Sequence, residues 1–192
     1  EDDNFRDHVG IDPFGLARAA WQLVSSGQIQ SGGSTITMQV AKNYFLTHER
    51  TFARKFREIL LALEIEKTLT KDEILELYFN VIFLGHRAYG VNAAAQIYYG
   101  KNLDELTLAQ SAMIAGLPKA PSKYNPIANP ERAKERRDWI LKRMLSLKFI
   151  EKYDFEIAIQ DPVTASLHGV HLDLTAPYVA EEARRVALEI FD

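Results

Sequence analysis

The stretch RTFARKFREILLALEIEKTLTKDEILELYFNVIFLG, residues 50–85, constrains the fold more than any other part of this chain. From Thr51 to Lys67 its apolar residues Phe52, Phe56, Ile59, Leu60 and Leu63 recur at helical spacing. Thr70 to Glu73 then spells T-x-x-E, a capping box in which side chain and backbone at a helix start satisfy each other. The helix it opens is predicted to run to Gly85, apolar nearly all round and therefore central and buried.

Spacing the first of these helices at a hundred degrees per residue makes Phe52, Phe56, Ile59 and Leu63 its core side, extended by Leu61, Ala62 and Ile65. Ala53, Arg57, Glu64 and Lys67 form the sector left for solvent. Glu58 falls outside that sector, with Arg54 and Lys55 one turn back. A shielded carboxylate costs several kcal/mol unless it is paired, so the two cations are its expected partners. A single such pair reads most simply as structural. With Lys42 and Arg50 upstream the segment offers four cations around one acid, a pattern suited to a multiply charged phosphate.

Helical signals continue elsewhere. Asp12-Pro13 starts a short apolar helix through Phe14, Ala17, Ala20, Trp21 and Val24 to Gly27. A glycine-rich loop leads to another helix with Ser34 or Thr35 near its cap. Gly90 and Gly100 bracket a helix, and Thr107 to Gly116 is a small-residue one. PKAPSKYNPIANP is expected to be an extended surface connection. Asn129-Pro130 then caps a long helix to about Leu147, with Trp139, Ile140, Met144 and Leu147 inward and ERAKERR outward. A last helix is expected from about Ala176 to Phe191. No useful strand alternation appears.

A chain of 192 residues suits one domain, or two lobes sharing a core. Its net charge of -3 argues against a strongly basic nucleic-acid binder, and the lack of cysteine excludes disulfides, thiol nucleophiles and Cys-based zinc sites. No apolar run approaches the ~20 residues of a membrane-spanning helix. The abrupt start inside a dense motif reads as a piece of a longer protein.

That motif is EDDNFRDHVGID, residues 1–12. Terminal acids are usually just solvated. Here Phe5 and His8, three residues apart, suggest an ordered helical turn that Gly10 would end. The acids do not follow the ligand pattern of a calcium loop.

Taken in order, EDDNFRDHVGID, GGSTITMQVAKN, RKFREILLALEIE, KDEILELYFNVIFLG and AQSAMIAGLPKAPSKYNP resemble the motifs of the peptidoglycan glycosyltransferase (transglycosylase) domain of class A penicillin-binding proteins and monofunctional transglycosylases. NPERAKERRDWILKRM and APYVAEEARR also fit, so the likeness spans essentially the whole chain. It implies a mainly α, lysozyme-like fold of two helical lobes around a central cleft, with a small membrane-proximal lobe near residues 13–50. It implies an inverting enzyme that polymerises lipid II into glycan strands and releases polyprenyl pyrophosphate.

On the same resemblance Glu1 is the general base, Glu58 the second essential glutamate and Lys55 the cation that steadies the departing pyrophosphate. Lys42, Arg50 and Arg54 would be phosphate-side contacts, with Asp2, Ser34, Gln39 and Asn80 lining the cleft. A divalent cation, Mg or Mn, near Glu58 is sometimes part of the family's machinery. The implied partners are lipid II, the lipid-linked glycan chain, the membrane surface and moenomycin-type inhibitors, at the outer face of the bacterial cytoplasmic membrane, with an anchor outside this chain. Arg6 and Met38 depart from the family pattern, standing where an aromatic residue and a glutamine are frequent. The rival expectations are a lytic transglycosylase or lysozyme, which has no need of the cation cluster, and a non-catalytic helical module that docks on membranes.

Overall fold

The computed structural model describes residues 2–15, 17, 21, 25, 33–46 and 51–169. Among these the chain is mainly helical, with a single isolated antiparallel bridge between Phe83 and Tyr89. The helices are α1 (Ile36–Phe45), α2 (Phe52–Thr68), α3 (Lys71–Val81), α4 (Val91–Tyr99), α5 (Leu108–Gly116), α6 (Pro130–Ser146) and α7 (Lys152–Gln160), with a 3-10 turn at Leu103–Glu105. Their starts follow from local chemistry. Thr35, Thr51, Thr70 and Thr107 each accept a hydrogen bond from the backbone three residues on, and Pro130 sits in the first turn of α6.

Helix α1 packs against α2 and α3, α4 joins α3 to α5, and α6 and α7 pack on α5. The main core gathers Phe5, Val40, Ile74, Tyr78, Leu84, Tyr98 and Leu117 from across the sequence. A second cluster, Ala109, Ala112, Leu141 and Ala158, sits where alanines on α5 let α6 and α7 approach closely.

Several expectations about faces and ends are corrected. The α2 side led by Phe52 is not the core side, for Phe52, Phe56 and Leu60 are 97%, 62% and 50% exposed, and the residues α2 buries are Glu58 and Ala62. Helix α3 stops at Val81, short of Gly85. Ile82 and Leu84 leave the helix and enter the core in a tight reversal, where Leu84 N–H donates to Ala88 O and Gly90 N–H to Ile82 O. Gly85, His86 and Arg87 all take positive φ there. On α6 Arg137 is buried and Trp139 exposed, and Leu147 at its C-cap is exposed as well, the reverse of what was expected for all three. Arg137 is accommodated because its guanidinium donates to the carbonyls of Asp161 and Ile159 and pairs with Asp138.

The 118–130 connection is a run of turns anchored by buried Asn125, whose Oδ1 accepts from Ile127 and Ala128 N–H, rather than an extended strap. Helix α7 has no counterpart among the expected elements. The described residues between 13 and 25 are helical as expected, with Phe14 and Trp21 largely exposed. The helix expected at 176–191 lies outside the described residues.

Candidate active site

The first motif folds onto helices α1 to α3. Phe5 and His8 are both buried, their rings edge to face at 6.1 Å, and Gly10 ends the turn with φ +91. A side chain at Gly10 would place its Cβ 2.8 Å from the Ala62 carbonyl oxygen, so the motif can lie this close to α2 only with glycine there. Thr35 Oγ1 donates to Gly10 O at 2.7 Å while accepting from Met38 N–H at 3.1 Å, which ties the motif to the start of α1.

Asp2 completes that joint. Its Oδ2 accepts from the Ile36 N–H at 2.9 Å and faces His8 Nε2 at 2.9 Å. Because Gly10 N–H donates to His8 Nδ1, the ring carries its proton on Nε2 and donates it to Asp2. Helix α1 has no acid in its own first turn, so a residue from the far end of the motif supplies the negative charge its N-terminus favours.

Glu58 is 2% exposed, with Oε2 2.7 Å from Arg54 Nη1 and Oε1 2.5 Å from Lys55 Nζ. Lys55 Nζ also donates to Ser34 Oγ at 2.6 Å. The chain is continuous: Glu58 and Lys55 on α2, Ser34 just before α1, then Asp2 on the α1 N-terminus. Arg54 and Lys55 stand in the first turn of α2, which has no acid of its own and where the helix dipole is itself positive, and Glu58 offsets only one of their two charges. Placing cations there breaks the usual charge order of a helix, and the result is a concentration of positive potential suited to an anion. Arg54 Nε is buried without a hydrogen-bond acceptor among the described residues.

The structure thus brings Asp2, Ser34, Arg54, Lys55 and Glu58 together. Gln39 and Lys42 are half-buried, three residues apart on α1, and neither bonds to the Glu58 cluster among the described residues. Asn80 is exposed in the last turn of α3. Glu1 and Arg50 lie outside the described residues. A supporting group went unrecognised in the sequence. Glu66, eight residues beyond Glu58 and on the same side of α2, accepts from Thr37 Oγ1 at 2.5 Å and pairs with Lys71 at 2.8 Å. Lys71 also donates to His8 O and lies 4.7 Å over the Phe5 ring. The spacing of Glu58, Ala62 and Glu66 was its available signal.

Both oxygens of Glu58 are engaged by cations, and no group of three His, Asp or Glu able to hold a metal occurs among the described residues. A divalent ion at Glu58 would have to displace Arg54 or Lys55 from one of its oxygens.

A helical domain that holds a buried carboxylate between two cations, close to an acid-capped helix start, has the charge arrangement of an anion-binding site. The chain belongs to the transglycosylase family: the family described as Transglycosylase matches residues 1–145. It is 64% identical over 184 residues to Penicillin-binding protein 1A of Pseudomonas aeruginosa, covering 96% of this chain and 22% of that protein. It is 53% identical over 191 residues to Penicillin-binding protein 1A of Haemophilus influenzae, covering 100% of this chain and 22% of that one. The crystal structure of Penicillin-Binding Protein 1A from Haemophilus influenzae superposes with a TM-score of 0.52 at 39% identity, covering 82% of this chain and 20% of that chain. The chain therefore spans about a fifth of the length of the relatives it matches.

Proposed function

We propose that this domain polymerises lipid II into glycan strands by inverting transfer. The acceptor sugar's 4-hydroxyl attacks the anomeric carbon of the lipid-linked strand as the bond from that carbon to pyrophosphate breaks. The hydroxyl proton passes to Glu1, and the bonding electrons leave with the polyprenyl pyrophosphate. Such a departure needs fixed positive charge where charge develops, and Arg54 and Lys55, aided by Lys42 and Arg50, would supply it. Glu58 holds those two cations in place.

The observation that carries the reading is the bond from Lys55 to Ser34, beside the α1 terminus that Asp2 occupies. It links the cations to the motif that begins with Glu1. A glycan-cleaving enzyme of lysozyme type, which needs a single proton-donating acid, leaves such a cluster without a task.

Tyr44 and Phe45 at the end of α1 and Phe52, Phe56 and Leu60 on the outward side of α2 are exposed aromatic and aliphatic side chains. They favour contact with the substrate's lipid and with the outer face of the cytoplasmic membrane, with residues 13–50 as the membrane-proximal lobe. Moenomycin-type inhibitors would compete for the same cleft. Incubation with labelled lipid II should yield a ladder of glycan products that vanishes in Glu1→Gln and falls at least ~100-fold in rate in Lys55→Ala. Release of fragments from mature cell wall, without a ladder, would establish the cutting enzyme instead.

A further inference from the structure

Helix α6 and the turns before it build an aromatic and cationic stack that the transfer chemistry leaves unused. Trp139 is 54% exposed, and the Arg136 guanidinium lies 4.4 Å over its ring. The same guanidinium is 6.0 Å from the Tyr124 ring, with Lys123 Nζ 5.5 Å from that ring. Arg136 is seated, not loose. A Cβ at Gly116 would stand 3.0 Å from Arg136 Cγ, so the arginine stem lies across the one place on α5 where the side chain is missing. Its Nε is buried without an acceptor among the described residues. The indole is therefore backed by a fixed cation while more than half of the residue faces solvent.

The position of this stack gives it meaning. Arg136, Trp139 and Arg143 share one face of α6, and Arg143 Nη2 is 3.4 Å from Asp3 Oδ2 in the first motif. Trp139 is thus one helical turn, about 6 Å along the axis, from a residue that touches the acidic motif. An indole with Arg136 against its ring and Arg143 one turn along the same face is too charged a surface for an apolar protein-docking patch. A pyranose ring suits it well. One face of the sugar is a sheet of C–H groups that can lie on the aromatic plane, and its rim of hydroxyls can accept from guanidinium and ammonium N–H.

We infer that Trp139, backed by Arg136, is a sugar-stacking platform that retains the glycan strand outside the pair of reacting sugars. The inference rests on the polymerase reading for its occupant. Its binding arm does not depend on turnover. Calorimetric titration with chitohexaose, a neutral β-1,4-linked N-acetylglucosamine oligomer, should show Trp139→Ala binding roughly fivefold more weakly than the wild type, about the worth of one aromatic stack, with Trp139→Tyr close to wild type. On labelled lipid II, Trp139→Ala should make shorter strands and Trp139→Tyr should restore their length. Melting temperatures of the variants identify any loss that comes from misfolding. Equal chitohexaose affinity and equal strand length in wild type and Trp139→Ala overturn the platform while leaving the polymerase reading intact. Trp139-dependent chitohexaose binding by a wild-type domain that makes no ladder does the opposite.

Discussion

Glu58 keeps its charge out of water through two side chains that share it. Arg54 is 18% and Lys55 35% exposed at the side chain, so either cation retains access to solvent when its partner is changed. The acid, at 2% exposure, has no such escape. Removing one cation leaves the other to pair with it, and Arg54→Met or Lys55→Met alone should cost about 1 kcal/mol. Removing both strands a buried carboxylate, and the double variant should lose about 3–5 kcal/mol. The excess over the summed singles is the signature, because residues sharing one partner do not act independently. Urea denaturation of the wild type, the two singles and the double measures it directly. Additive losses would mean that Glu58 is reached by water or by another cation.

At the scale of elements, the capping of α3 gives a separable prediction. Thr70 N–H donates to Glu73 Oε2 at 2.7 Å, and Thr70 Oγ1 accepts from Glu73 N–H at 3.3 Å. The bond from the Thr70 backbone, followed by that from its side chain, holds the Glu73 carboxyl below the ordinary carboxylate value. A lowered acid contributes stability that is present above the ordinary glutamate value of about 4.3 and lost as the pH falls through the lower, folded one. Thr70→Ala should cost about 1 kcal/mol at neutral pH. Glu73→Gln should flatten the acid limb of the stability curve, which chemical denaturation at pH 3 to 7 would reveal. This cap was legible in the sequence because capping is settled within four residues; the helix starts near Thr51 and Thr107 were legible too, whereas Asn129, read as a cap, makes no side-chain capping bond. Burial of a face is settled by whatever packs there. Helix α2 turns Phe52, Phe56 and Leu60 outward and its acids Glu58 and Glu66 inward, since the first motif, Ser34 and Thr37 supply polar partners on that side. Periodicity on one helix cannot see partners that arrive from far along the chain. The pairing of Glu58 with Arg54 and Lys55 was readable because all three lie within about a turn, whereas the meeting of Asp2 with the start of α1 spans 34 residues and leaves no local signal.

Across the whole molecule, Tyr98 joins more separate segments than any single cap can. Its hydroxyl donates to Leu84 O at 2.8 Å and faces Asn125 Nδ2 at 3.5 Å, while its carbonyl accepts from Ser166 N–H at 3.0 Å. Helix α4, the reversal after α3, the turns before α6 and the segment after α7 all meet at this residue. The phenol comes so near Gly85 that a Cβ there would lie 2.7 Å from its oxygen. Burial pushes the Tyr98 hydroxyl up to about 12, and the neighbouring Tyr99, beside Arg137, is likewise pushed up to about 12 by burial that the arginine only partly offsets. Ionising Tyr98 would also set a phenolate against the Leu84 carbonyl oxygen. A phenol raised above its ordinary value of about 10 contributes stability that is complete below pH 10 and lost as the pH climbs through 12. The domain should therefore unfold cooperatively in that alkaline window. Tyr98→Phe should lose about 1–2 kcal/mol at pH 8, where the Leu84 carbonyl is left unpaired, and should show a shallower decline between pH 10 and 12. Urea titrations at pH 8, 10 and 11.5, with tyrosinate absorbance recorded alongside, test both halves of the argument. A wild-type stability unchanged to pH 12, or a Tyr98→Phe curve parallel to it, would show that the phenol at this junction is not buried as described.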